Sequence, residues 1–368
     1  MNTDSFNWNM PVAVTFGCGG ADRLGMLLGE REAIVLAFGP ARALGLERRW
    51  RESLGRRMVD WVEVADGLSS IARAREVAAR VWPQLAAHPG CTLIAVGGGT
   101  TLDIAKVVRC RPADGTFEDL VGALRGGAWP RLALAPLWLL PTTAGTGSEV
   151  TRWATVWDTD SDPQVKRSLD EPFGYAERAI VDPALCLTCP REVTRDTALD
   201  TLAHALESIW NRHANPVSDA LALSAARRVL KALPDCLESP GDLALRSELS
   251  LAALEAGLAF SQTRTALAHA LSYAVTLEQG VPHGQACAIW LPAAWRLATG
   301  RSARIDRLLA DVFEHHDGEA SLIDWLDGVG VDARPEAYGI LDGGVRIAEA
   351  LGSQRGRNFV GAPAIEAA

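Results

Sequence analysis

The chain has 368 residues, enough for two domains, and its 48% hydrophobic and 22% charged content is that of an ordinary globular protein. A formal net charge of −9 argues against nucleic acid or an anionic membrane as the main partner, because both reward concentrated Lys and Arg. No basic stretch followed by an apolar one opens the sequence, and no uncharged apolar run of about 18 residues occurs, so neither a signal peptide nor a membrane span is expected and the chain reads as cytoplasmic.

In chain order, EAIVLAFG (32–39) and CTLIAVGGG (91–99) are predicted buried strands, with the mainly helical LSSIARAREVAARVWPQLAAH between them. A third strand is expected in LALAPLWLLPTTAGTGSE and a last one near 177–185. This alternation predicts an α/β domain over 1–185, a Rossmann-like parallel sheet with helices on both faces. From 186 the pattern changes to long Ala- and Leu-rich stretches such as TALDTLAHALESIWNRH and PVSDALALSAARRVLKALPDCLE, which predict an all-helical domain over 186–368. The active site is expected in the cleft between the two. Seven scattered cysteines make no disulfide framework, and the lone CxxC at Cys186 and Cys189 reads as packing, since no thioredoxin-like strand–helix context surrounds it.

Two glycine-broken loops suggest a dinucleotide. Gly97, Gly98 and Gly99 follow an apolar strand and precede a helix containing Asp103 and Lys106, so backbone N–H groups and a helix N-terminus can approach a pyrophosphate. A tight structural turn would look the same. In PTTAGTGSEVT, the hydroxyls of Thr142, Thr143, Thr146 and Ser148 can bond phosphate, ribose or a nicotinamide amide, or can serve an ordinary turn. Two such loops at neighbouring strand ends make a dinucleotide the simpler explanation.

The helical half carries a candidate metal site. Asp200 and His204 stand four apart in a helical segment and project from one face. His269 lies further on, and His283 follows fourteen residues later behind a Gly-Val-Pro turn. One carboxylate with three imidazoles suits one divalent ion such as Fe²⁺ or Zn²⁺ better than Mg²⁺ or Ca²⁺.

The stretches GGGTTLDIAK, PTTAGTGSEVT, AIVDPAL, DTLAHALES and GVPHG, in this order, resemble the iron-containing (group III) alcohol dehydrogenases over nearly the whole chain. The resemblance implies a dinucleotide fold, a metal held by Asp200, His204, His269 and His283, and hydride transfer between a nicotinamide and a carbonyl carbon. It also implies cofactor contacts from Gly97, Gly98, Gly99, Thr100, Asp103, Thr142, Thr143, Thr146 and Ser148, with Lys166 near the cofactor, and a homodimer. HALESIWNRHANPVSDALA, TRTALAHALSYAVTLEQGVPHGQAC and RGRNFVG look most like the branch that reduces phosphonoacetaldehyde to 2-hydroxyethylphosphonate.

The chain departs from the family pattern at two places. Many members carry a second histidine four residues after the third ligand, often assigned to proton relay; here Tyr273 takes its place, and a phenol of ordinary pKa near 10 is a poorer neutral-pH buffer. At the end of the first predicted strand, where members preferring NAD tend to carry an Asp, the chain has Gly39 with Arg42 close by, which favours the 2′-phosphate of NADPH, with NADH as the alternative. An anionic aldehyde needs cationic partners, for which Arg264, Arg355 and Arg357 are the candidates. The competing readings are a reductase of sulfoacetaldehyde or neutral short-chain aldehydes, a dehydroquinate-synthase-like lyase, and a non-catalytic metal-binding protein.

Overall fold

Runs such as Ala33–Phe38 and Thr92–Gly97, buried along almost their whole length, have no polar face to turn to water, so they are stable only in a sheet covered on both sides. In the computed structural model, which describes residues 5–162, 164–314 and 317–363, the chain forms two compact units. One comprises Pro11–Thr143 and Ser148–Cys186; the other comprises the residues from Leu187 on, together with 5–10 and Ala144–Gly147. The last two stretches fall within 1–185, which the sequence reading gave wholly to the α/β domain.

The α/β unit contains strands β1 (Ala13–Phe16), β2 (Ala33–Phe38), β3 (Met58–Val64), β4 (Thr92–Gly97), β5 (Cys110–Pro112), β6 (Leu132–Leu134), β7 (Leu137–Pro141), β8 (Trp153–Asp158), β9 (Val165–Asp170) and β10 (Arg178–Val181). Its helices are α1 (Leu24–Leu28), α2 (Leu46–Leu54), α3 (Ile71–Ala87), α4 (Gly99–Val108) and α5 (Phe117–Leu124). Six strands form one parallel sheet in the order β1-β10-β7-β4-β2-β3, while β5 with β6 and β8 with β9 form separate antiparallel pairs. The chain passes from β2 to β3 on one side and then back across β2 to β4 on the other. The order therefore reverses between β2 and β4, and the ends of these strands open the crevice where doubly wound sheets bind ligands. One sheet face packs Val35, Ala37, Ile94, Val96, Trp138 and Leu140 with Leu24, Leu28 and Trp50 of α1 and α2.

The sequence reading missed β1, β3 and the β8–β9 hairpin. In β3, MVDWVEV, the carboxylates interrupt the apolar run, yet each has a cation: Arg80 bonds Asp60 at 2.8 and 2.9 Å, and Arg42 meets Glu63 at 3.1 Å.

The helical unit contains α6 (Arg191–Ile209), α7 (Pro216–Glu238), α8 (Leu243–Thr263), α9 (Leu267–Gln279), α10 (His283–Ala288), α11 (Leu291–Ala298), α12 (Ala303–Val312), α13 (Gly318–Gly328) and α14 (Gly343–Gly352). Starts are encoded locally: Asn215 accepts from the Val217 and Ser218 amides with Pro216 in the first turn, and Asp242 accepts from Ala244 and Leu245. Helix α6 is buried at every position from Ala198 to Ile209, so it forms the axis of this unit's core rather than an amphipathic surface helix. No helix among the described residues is long and apolar enough to cross a membrane.

Candidate active site

A fully buried helix can carry polar side chains only if each finds a partner, and α6 carries Asp200, His204 and Glu207 on one side of its axis. Helix α9 contributes His269 from its first turn. Gly280 then ends α9 in the left-handed region at φ +68°, and Val281-Pro282 redirects the chain so that His283 opens α10. Gly284 permits the final approach, because a Cβ there would collide with the Asp196 carbonyl oxygen and lie 3.1 Å from the Asp200 nitrogen.

All four residues singled out for metal binding meet there. Asp200 Oδ1 lies 3.7 Å from His204 Nε2, 3.3 Å from His269 Nε2 and 3.8 Å from His283 Nε2, and the ε nitrogens of His204 and His269 face each other at 3.0 Å. Donors held about 2.1 Å from one ion at tetrahedral angles would be about 3.4 Å apart, so these separations are those of a ligand cage. Asp200 Oδ1 is buried with no hydrogen-bond partner, a cost that a bound cation would remove. The residues therefore fit a divalent metal. The His283 side chain is 38% exposed while the other three are at most 7% exposed, so the cage opens on the His283 side.

Burial would raise the Asp200 carboxyl, but its electrostatic attraction to the surrounding His204, His269 and His283 rings holds it well below the usual carboxylate range. Burial also drives His204 down to about 3, assisted by the positive charges of His269 and His283. An ionised carboxylate and a neutral imidazole are the forms that bind metal.

Glu207 was not found in the sequence. Its carboxylate accepts from His269 Nδ1 at 2.8 Å and from the backbone nitrogens of Ala266 at 2.7 Å and His269 at 3.3 Å, with the Ala268 nitrogen as a further donor. It thus fixes the ring whose other nitrogen faces Asp200, and also caps α9. The available signal was its place seven residues after Asp200, two helical turns along the same face. Ser272 Oγ lies 3.3 Å from His283 Nδ1, and the His204 ring stacks on Phe260 with centroids 4.0 Å apart. Cys287, also missed, is buried with its sulfur 3.9 Å from His283 Nε2; it joins Asp200, His269 and His283 in a group whose donor atoms all lie within 4.8 Å of one another.

Beyond the cage the three candidate arginines separate. Tyr273 lies parallel to the His283 ring at 5.9 Å, and the Arg355 guanidinium stands 5.2 Å over the Tyr273 ring while donating to Thr265 Oγ1 at 2.9 Å. Arg264 takes φ +67° where α8 gives way to α9, and its carbonyl accepts from Asn211 Nδ2 at 3.0 Å. Arg357 is exposed and donates to the Gly352 carbonyl, so the structure does not bring it to the cage.

In the α/β unit, α4 starts at the glycine triplet with Gly98 as N-cap and no side-chain cap, leaving its first N–H groups available to an anion. Thr142 N donates to the Gly97 carbonyl, Thr143 lies against Gly98, and Thr100 Oγ1 donates to the Gly67 carbonyl. Asp103 and Ser148, both expected to contact the cofactor, are bonded to each other within the α/β unit. Asp103 accepts from Ser148 Oγ at 2.7 Å and from the Thr155 nitrogen at 2.8 Å, so both oxygens are used inside the protein. Burial pushes its carboxyl up, and Lys106, these hydrogen bonds and Lys166 offset part of that rise. Lys106 is itself buried, donating to the Thr151 and Trp153 carbonyls at 2.7 Å, with its ammonium pulled down to about 8 by burial. Thr146 belongs to Ala144–Gly147, which packs with the helical unit: Thr201 Oγ1 bonds the Ala144 and Gly145 carbonyls, and a Cβ on Gly147 would lie 2.7 Å from Gly257 Cα.

Around Gly39 the charges differ from those expected. A Cβ on Gly39 would lie 3.6 Å from Asp66 Oδ2, and Arg42 Nε is engaged by Glu47 at 2.6 Å and Glu63 at 3.1 Å.

A doubly wound parallel sheet with an uncapped glycine turn, in one chain with a helical unit holding one carboxylate and three imidazoles, is the makeup of the metal-dependent dehydrogenase class. The chain belongs to the iron-containing alcohol dehydrogenase family: residues 11–183 match Iron-containing alcohol dehydrogenase, and residues 194–344 match Fe-containing alcohol dehydrogenase family, C-terminal. It is 36% identical over 198 residues to the choline dehydrogenase of Bacillus subtilis (strain 168), covering 53% of this chain and 48% of that protein. It is 33% identical over 232 residues to long-chain-alcohol dehydrogenase 1 of Geobacillus thermodenitrificans (strain NG80-2), covering 63% and 57%. The chain thus matches about half the length of these relatives. The crystal structure of sulfoacetaldehyde reductase from Bifidobacterium kashiwanohense in complex with NAD⁺ has the same fold, with a TM-score of 0.85 at 24% identity over 97% of this chain and 94% of that one.

Proposed function

We propose that the protein is a metal-dependent, nicotinamide-linked reductase of a small anionic aldehyde, with phosphonoacetaldehyde giving 2-hydroxyethylphosphonate as the favoured reaction. The observation that carries this reading is that Tyr273 lies parallel to His283, on the open side of the cage, and has the Arg355 guanidinium over its own ring. When bound, the metal supplies a Lewis acid that polarises the aldehyde and the dinucleotide supplies the hydride. Asp200, His204, His269 and His283 hold the ion, and Glu207 fixes the His269 ring. Arg355, braced by Thr265, pairs with the phosphonate oxygens and turns the carbonyl toward the His283 side. The α4 N-terminus receives the pyrophosphate. Tyr273, stacked on His283, passes the proton to the product oxygen. Sequence alone favours NADPH. The Asp66 carboxylate beside Gly39, with Arg42 already neutralised by Glu47 and Glu63, favours the free ribose hydroxyl of NADH instead.

Sulfoacetaldehyde is the second reading, because Arg355 suits either tetrahedral anion. The test is oxidation of NADH and NADPH after reconstitution with Fe²⁺ or Zn²⁺, using phosphonoacetaldehyde, sulfoacetaldehyde and acetaldehyde. The expected result is a kcat/KM for an anionic aldehyde at least about tenfold above that for acetaldehyde, the size of one hydrogen bond to a charged group. Equal turnover of acetaldehyde would remove the anion-binding role, and no cofactor oxidation with any aldehyde would overturn the reductase reading.

A further inference from the structure

We propose that the Cys287 thiol is a fifth donor of the metal site and biases it toward thiophilic divalent ions. The inference rests on the metal cage of the proposed function and concerns a residue outside the four ligands assigned there. Helix α10 presents His283 and Cys287 four residues apart, repeating on a second helix the spacing by which α6 presents Asp200 and His204. Cys287 is fully buried, and its donor atom lies within 4.8 Å of those of Asp200, His269 and His283.

The geometry is that of co-ligands. A sulfur about 2.3 Å and a nitrogen about 2.1 Å from one ion are about 3.6 Å apart at the tetrahedral angle, about 3.8 Å at 120° and about 4.4 Å when opposed. The observed 3.9 Å between Cys287 Sγ and His283 Nε2 falls in this range. Hydrogen bonding points the same way. The sulfur lies 3.9 Å from His283 Nε2 and within 4.8 Å of the His269 donor nitrogen, and both rings turn Nε2 toward Asp200 Oδ1. A cation in the cage would occupy those nitrogens, leaving the thiol beside the ion with its partners removed; as a thiolate it would bind the ion instead. The unpartnered, buried Asp200 Oδ1 marks the same point as the place for a cation. Adding a soft donor to imidazoles and a carboxylate favours Zn²⁺ and Co²⁺ over hard Mn²⁺.

The full chain, stripped of metal and reloaded with Co²⁺, is expected to show a near-ultraviolet thiolate-to-cobalt charge-transfer band. Cys287→Ala and Cys287→Ser should lose the band, and Cys236→Ala, which removes another buried thiol of the helical unit, should keep it. In chelator competition, Cys287→Ala should weaken Zn²⁺ binding by at least about tenfold and leave Mn²⁺ binding unchanged. Co²⁺ binding without the band in the unaltered chain would overturn the thiol's role while leaving the four-ligand site standing; that reading needs no variant to fold. A band that survives in Cys287→Ser would also overturn it. A chain that binds neither Co²⁺ nor Zn²⁺ would overturn the metal site itself and this inference with it.

Discussion

Replacing Glu207 by glutamine tests whether one carboxylate both builds α9 and aims His269. Its Oε1 accepts from the Ala268 and His269 nitrogens, and its Oε2 accepts from the Ala266 nitrogen and His269 Nδ1. Glutamine keeps one oxygen and turns an amide group, itself a donor, toward the other pair. Two buried donors are thereby left without acceptors, at about 1–3 kcal/mol each, or about 2–6 kcal/mol in all. For a unit of this size that lowers the melting temperature by on the order of 5–20 °C. Loss of the fixed His269 ring should also weaken metal binding by about 10–100-fold. Calorimetry of the metal-free protein and chelator competition for Zn²⁺ measure the two effects separately. The pH dependence has a definite sign. Burial alone would raise the Glu207 carboxyl, but the His269 charge and the hydrogen bonds lower it, so its stabilisation is present at neutral pH and disappears as the pH falls below the ordinary carboxylate range. Glu207→Gln should lack that acid loss. A variant that melts within about 2 °C of the parent and binds Zn²⁺ equally well would refute the reasoning.

Arg355→Ala should raise KM for the anionic aldehyde by about 10–100-fold while leaving acetaldehyde kinetics unchanged, as read in steady-state assays. Gly284→Ala forces a methyl group against the Asp196 carbonyl; it should cost about 1–3 kcal/mol in denaturant unfolding and reduce the metal retained after dialysis. Asp66→Ala should shift the ratio of kcat/KM for NADPH over NADH upward by about tenfold, since it removes the carboxylate beside Gly39. Glu149, buried next to Ser148, has its carboxyl pushed up to about 7 by burial, so the folded state keeps a proton that the unfolded chain releases. Stability should therefore fall as pH rises from about 4.5 to about 7, by about 3 kcal/mol, and Glu149→Gln should flatten that slope in melting curves taken across the range.

The four residues that gather into the cage were legible in the sequence because histidines are few and the i, i+4 spacing on a helix has a direct geometric meaning. The sequence hid Glu207, since a glutamate in an Ala-rich helix reads as solvated until the helix proves buried on every side. Asp103 and Lys106 were legible as part of a glycine-loop motif, and only the fold shows that Asp103 also ties Ser148 to Thr155 from within. Strand β3 was lost because Asp60 and Glu63 break its hydrophobic pattern, and the arginines that pair with them come from outside the strand. The charge pattern around Gly39 was incomplete in the sequence for the same reason. Arg42 looked available in one dimension, but Glu47 and Glu63 pair with it, and Asp66 lies beside Gly39.

The passage from α8 into α9 at Arg264 is held from both sides, by Asn211 on the Arg264 carbonyl and by Asn358 on the Thr265 carbonyl at 2.8 Å. Phe359 and Val360 return to pair with Asn211 and Trp210 just beyond α6. The last turns of the described chain are thus a structural brace for the first ligand helix, and Arg355 rides on them. During synthesis, His283, the last of the four cage residues, leaves the ribosome 72 residues before Arg355, a delay of on the order of 4–14 s at ordinary elongation rates. An ion captured in that interval meets the ligand helices before their brace exists. If the cage binds an ion in that interval, metals would compete for it before closure of the tail makes the choice lasting.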